Sequence, residues 1–221
     1  MAPLPSARLQ KAYSSMRFPT LQRLAALAGT FGPLLFGLTL VGLTLLDAGF
    51  LRSLGWDPLL APTFDWPSGL SLGPHGGVMI AAFIVNGLLM MIFGLGLGQA
   101  VPQTNVGKAA TRLMVLAGGA MMGLAFLTDP TVRDYPATWH GRLHDLSFVA
   151  LGLTLFPSMI LFGISFLTSP AWRNVGWRTF LTVALAIPAF ALKGMAFYIF
   201  LAAALMWSVV ISHRLSSAPP P

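Results

Sequence analysis

Long apolar runs, separated by short polar clusters, organise this chain. The first extends from Leu24 to Leu46, bounded by Arg23 and Asp47 with no charge between them. Others occupy about 77–100, 111–128 and 146–168, the last containing Pro157 as an expected kink. A membrane-crossing helix needs roughly 20 mainly apolar residues, so each run predicts one span. The final stretch, Thr179 to Ser212, is interrupted only by Lys193 and Gly194. As one helix it would rise about 51 Å, well beyond a hydrocarbon core of about 30 Å. Two helices, about 179–192 and 195–212, fit better, because Gly194 permits a turn and Lys193 can snorkel to the headgroups. The fold expected is all-α, a single transmembrane domain over 1–221 built as an integral membrane bundle of six transmembrane helices. Flexible ends are expected at 1–20 and 213–221.

Composition sharpens this picture. The 221 residues are 56% hydrophobic and only 9% charged, with a mean hydropathy of +0.76. Soluble domains carry about 25% charged residues, so a water-exposed surface could not be clothed here. With no cysteine, a disulfide framework, a thiolate metal site and a cysteine nucleophile are all excluded. The net charge of +7 would raise the question of nucleic acid in a soluble protein. Here the bases stand singly beside apolar runs, so membrane lipids are the expected partners and nucleic acid is not.

Charge also orients the bundle. With both termini cytoplasmic, nine bases lie inside: Arg8, Lys11, Arg17, Arg23, Lys108, Arg112, Arg173, Arg178 and Arg214. Only four, Arg52, Arg133, Arg142 and Lys193, lie outside, as the positive-inside rule requires. All six acids (Asp47, Asp57, Asp65, Asp129, Asp134 and Asp145) fall on the outer side. The first apolar run exceeds a signal-peptide core and reads as a retained anchor. These features place the chain in the cell membrane as a multi-pass protein.

Between the first two spans, residues 47–76 form a long outer loop with Phe50, Trp56, Phe64 and Trp66. Such aromatics suit the headgroup level, so the loop is expected to lie on the membrane as a partial lid. Asp57 and Asp65 stand beside prolines and read as turn formers. Gly94–Gly98 and Gly119–Gly123 are small-xxx-small pairs, expected to bring the second and third spans together.

Candidate chemistry gathers at the outer face, since no carboxylate, histidine or arginine lies at mid-membrane depth. There stands His140-Gly141-Arg142-Leu143-His144-Asp145. If a helix has begun by His140, its two imidazoles share one face at i and i+4, a spacing that suits metal binding. Asp129 and His75 could complete a set of metal ligands with His140 and His144, with zinc as the natural occupant and Arg142 beside them. The competing reading is a structural polar cluster, because HxxxH arises readily by chance and Gly141 stands where HExxH needs glutamate.

Several segments resemble a known family. Ser68-Gly69-Leu70-Ser71, Val85-Asn86-Gly87-Leu88 and the glycine-rich 93–98 look like its first half. Leu116–Leu127, Thr128-Asp129-Pro130 and Thr138-Trp139-His140-Gly141-Arg142-Leu143-His144 resemble its second half. The family is the prokaryotic membrane proteins catalogued as domain of unknown function 998, and the likeness covers roughly residues 20–212. It implies a multi-helix membrane fold, with Asp129, Gly141 and His144 at characteristic polar positions and His140 outside the pattern. It transfers no activity. A looser likeness exists to membrane hydrolases of the alkaline ceramidase type, which use histidines and an aspartate around zinc, but their full helix count is missing here.

Three functional expectations follow. The outer His/Asp cluster is a pocket for metal-assisted hydrolysis or binding of a lipid-like molecule. Alternatively the chain transports a small amphiphile, which predicts a pocket continuing inward past Asn86 and Thr154. Or it is a non-enzymatic structural or accessory protein whose cluster stabilises the bundle.

Overall fold

The computed structural model describes residues 5–60 and 62–217, with side chains from Thr20 onward. Residues 1–4 and 218–221 of the expected flexible ends lie outside the described residues. Regular structure in the described part is helical: α1 (Pro5–Leu46), α2 (Ala48–Ser53), a 3-10 segment (Pro67–Leu72), α3 (Gly76–Ala100), α4 (Asn105–Gly123), α5 (Trp139–Leu167), α6 (Arg173–Phe190) and α7 (Met195–Ser217). Four of these contain stretches long and apolar enough to cross a membrane: Thr20–Leu46 in α1, and all of α3, α5 and α7. α4 and α6 are shorter and open with basic residues, Lys108 and Arg112 in one, Arg173 and Arg178 in the other. The chain is a multi-pass membrane protein.

The helices do not stop where the apolar runs stop. α5 begins at Trp139, about two turns ahead of the apolar run, because Thr138 caps it by accepting a hydrogen bond from the Gly141 amide at 3.1 Å. Thr104 caps α4 in the same way, through the Gly107 amide at 3.2 Å. Hydropathy sees what lipid must cover, whereas capping decides where the backbone begins to coil.

The six long helices close into a ring, each antiparallel to its neighbours. Ser208 on α7 donates to the Gly29 carbonyl of α1 at 3.0 Å, and Thr44 and Tyr198 meet at 2.8 Å near the opposite ends of the same pair. Ser158 of α5 donates to the Ala110 carbonyl of α4 at 2.8 Å, and Trp207 of α7 donates to Thr179 of α6 at 2.9 Å. One end of the ring carries the α3–α4 and α5–α6 connections and the basic residues Arg23, Lys108, Arg112, Arg173, Arg178 and Arg214. The other, hereafter the loop end, carries the long 47–75 and 124–138 connections, the short 191–194 turn, all six aspartates and the bases Arg52, Arg133, Arg142 and Lys193. Large apolar side chains such as Leu38, Leu45, Leu153 and Leu181 are more than 60% exposed on the outside of the ring. In water such a surface would aggregate; in a bilayer it is the solvent-matched face.

The glycines reveal how α3 and α4 approach. A Cβ on Gly87 would stand 2.6 Å from the Gly118 carbonyl oxygen, and one on Gly118 would stand 2.6 Å from that of Gly87. Gly94 and Gly98 face Met114 and Thr111 in the same interface, as expected. Gly119–Gly123 does not join it. Gly119 faces open space, and Gly123 packs on Ser147 of α5. One residue of helical phase, about 100°, separates Gly118 from Gly119, and packing selects the former.

The last apolar stretch divides at the expected place, with α6 ending at Phe190, α7 beginning at Met195, and Gly194 at φ +71°. Lys193 turns onto the connection between α1 and α3. Its ammonium donates to the Phe64 carbonyl at 2.5 Å and lies 5.2 Å from the centre of the Trp66 ring, clamping the 47–75 connection. That connection is a plug rather than a surface lid. Leu51, Trp56 and Leu70 are fully buried in the loop end, and Trp66 packs against Phe148 and Phe197. Its tip, with Leu59, Leu60 and Phe64, is exposed, as are Arg52, Ser53, Pro74 and His75 toward its ends.

Candidate functional site

The residues singled out between α4 and α5 form one hydrogen-bonded corner. Asp129 accepts from the Thr138 amide through Oδ2 and from the Thr138 hydroxyl through Oδ1, both at 2.8 Å. The hydroxyl in turn accepts from the Gly141 amide. Partial burial works against ionisation of Asp129. The Thr138 side chain and amide, with Arg133 and His140 nearby, outweigh it and hold this carboxyl below the usual carboxylate range. Gly141 is buried against that carboxylate, and a Cβ there would collide with Asp129 Oδ2. The likeness placed Asp129 and Gly141 at characteristic positions, and their contact gives the physical reason.

His140 and His144 lie on one face of α5 and turn toward the end of α4. His140 Nδ1 is 2.9 Å from the Leu127 carbonyl oxygen, and His144 Nδ1 is 3.0 and 2.9 Å from those of Leu124 and Phe126. A carbonyl oxygen only accepts, so Nδ1 carries the proton in both rings. The imidazoles thereby satisfy carbonyls of the α4 C-cap residue Leu124 and of the segment that follows it, Phe126 and Leu127. Arg142 is exposed on the same turn. His75 is held elsewhere, with Nδ1 2.8 Å from Asp47 Oδ1 at the α1–α3 junction. Thus Asp129, His140 and His144 share a corner that His75 does not enter. Among the described residues no group of three or more His, Asp or Glu is arranged to hold a metal ion.

Sequence reasoning passed over Asp65. Its Oδ1 accepts from the Trp66 amide at 2.8 Å and from Thr131 at 3.1 Å, but the residue is 1% exposed. Its Oδ2 is buried with no hydrogen-bond partner among the described residues, so it is more than a turn former. Asp57 does make the local turn expected, accepting from the Leu59 amide at 3.1 Å. The signal for Asp65 lay in its flanking Phe64 and Trp66, a carboxylate set between aromatics in an otherwise turn-like segment.

Inside the ring runs a cavity of about 160 Å3 to which all six long helices contribute. At the loop end its wall includes Trp66, Ser68, Thr128, His144 and Asp145. Asp145 is exposed, so the cavity reaches the surface there. The wall then continues past Asn86 to Phe93, Met114, Trp207 and Ser208 toward the basic end. Thr154 is not in the wall; its hydroxyl is turned back onto the Ala150 carbonyl at 2.6 Å. On α5 the lining extends from His144 to Leu155, and on α7 from Phe197 to Ser208, about 16 Å of helix in each case. Phenylalanines from five helices make most of this wall apolar. A pocket continuing past Asn86 was expected from the sequence only as a consequence of transport, and the rest of its lining was not legible, because which face of each helix turns inward follows from closure of the ring.

No curated protein and no solved structure matches this chain. A family model matches residues 50–214, from the buried loop-end plug to the end of α7. With the apolar six-helix ring and its Asp129–Thr138–Gly141 corner in view, that match shows the chain to be a membrane protein belonging to the family described as protein of unknown function DUF998.

Proposed function

We propose that this protein binds a lipid-like molecule, taking one hydrocarbon chain into the cavity of its helical ring. The observation that carries the reading is the cavity's shape. Its lining runs along about 16 Å of helix, from the loop end toward the basic end, and is apolar over most of that depth. A lipid tail spans half of the roughly 30 Å hydrocarbon core, a matching length. The wall is apolar along its depth and polar only where it meets the surface, the distribution that an amphiphile requires.

The setting we propose is the cell membrane, with six spans and both termini on the cytoplasmic side. α4 and α6 measure about 28 and 27 Å, nearly a full hydrocarbon thickness. Each lies antiparallel between two longer helices, so it must traverse with them. The bias of bases toward one ring end, six against four from Thr20 onward, with every aspartate at the other, supports the orientation.

Native mass spectrometry of protein released from lipid nanodiscs tests the binding reading. Loaded with a C14 alkyl probe series, the wild type is expected to carry one single-chain adduct. Ala204→Phe, which narrows the channel from its half-buried wall position, should remove the adduct and leave the folded protein intact. Equal binding by both proteins, or none by the wild type, refutes the proposal.

A further inference from the structure

The polar end of the cavity has an unusual hydrogen-bonding character. His144 lines it, yet its Nδ1 proton is committed to the Leu124 and Phe126 carbonyls. The neutral ring therefore has only a lone pair, on Nε2, left to offer. Thr128 lines it too, and its hydroxyl already donates to the Asp129 carbonyl at 3.2 Å, leaving an acceptor oxygen. Asp145 adds a carboxylate, which only accepts. Asp65, buried next to Trp66 in the chain with one oxygen unpartnered among the described residues, lies with Asp145 within electrostatic reach of His144. No lysine or arginine enters the wall. Lys193, which lies over the Trp66 ring, donates to the Phe64 carbonyl.

From this we infer that the bound amphiphile carries a hydrogen-bond-donating head, a primary amine or an alcohol, and not a carboxylate or phosphate. The inference rests on the chain-binding reading and deepens it. An ammonium or hydroxyl presents protons to His144 Nε2, Thr128 and Asp145, and an ammonium also gains from the field of two carboxylates. An anionic head would meet lone pairs and negative charge with few donors, Ser68 and Asn86 among them. It would leave its own oxygens poorly satisfied, and that cost sets the discrimination.

The test uses three C14 probes of equal chain length, tetradecylamine, tetradecanol and tetradecanoate, added to the full chain in nanodiscs of zwitterionic lipid. Adducts are compared at neutral pH by native mass spectrometry. The amine and the alcohol are expected to bind at least about tenfold more tightly than the carboxylate. Asp145→Lys, at an exposed position that tolerates exchange, should weaken the amine, spare the alcohol and strengthen the carboxylate. Tetradecanoate binding as well as the amine and alcohol, or an Asp145→Lys protein with unchanged order, overturns the head-group assignment while leaving chain binding intact. Failure of all three probes to bind overturns the chain-binding reading itself, and this inference with it.

Discussion

At the scale of single residues, the corner around Asp129 shows how little freedom the α4–α5 junction has. Thr138 is shared between two tasks, capping α5 through Gly141 and holding both oxygens of Asp129. Gly141 is required because the carboxylate occupies the space of a side chain. Since the folded Asp129 carboxyl is held below its usual range, folding favours the ionised form. Its contribution is complete above the ordinary aspartate value of about 4. It is lost as pH falls through the lower folded-state value. Thermal unfolding measured from pH 6 down to pH 3 should show an acid limb that is flatter in Asp129→Asn, whose Tm at pH 6 is already reduced. An identical acid limb in the two proteins would contradict this account. The HxxxH spacing did announce that His140 and His144 share a face. It could not announce what the face meets, because the carbonyls of Leu124, Phe126 and Leu127 arrive by tertiary packing.

At the scale of elements, the legible features were those that depend on local chemistry alone. Gly194 marks a turn because the chain adopts positive φ there, and two helices fit a bilayer where one does not. The α3–α4 seam was legible only in part. Gly94 and Gly98 were found by spacing, but Gly119–Gly123 has the same spacing and points elsewhere. Spacing identifies a stripe of small residues, and only the neighbouring helix decides which stripe is used. The prediction is sharp, because the two candidates adjoin. Gly118→Leu should drive a side chain into the Gly87 backbone and lower stability by about 1–3 kcal/mol or prevent folding. Gly119→Leu, facing open space, should change Tm little in the same thermal-unfolding assay. Equal effects would mean that the seam is misplaced. The 47–75 connection was the least legible element. Its aromatics suit an interface equally well, and only closure of the ring buries Trp56 and Leu51 as a plug.

At the scale of the whole molecule, a few observations support one another. All six aspartates lie at one end of the ring and most of the bases at the other, large apolar side chains cover its outside, and an apolar channel occupies its inside. The first two were legible, since hydropathy and charge are properties of sequence. The channel's lining was not, since the channel is the space left by six helices whose inward faces no periodicity distinguishes from their lipid-facing ones. Binding of a lipid-like molecule requires that space to hold one chain. The most direct measurement uses a C14 alcohol with a photoreactive diazirine at its tail end, irradiated in nanodiscs with the full-length protein and mapped by peptide mass spectrometry. Adducts are expected at the far end of the channel, on Met114, Trp207 or Ser208. Adducts confined to outward-facing residues such as Leu153 and Leu181 would contradict it, for they would place the chain in the surrounding lipid.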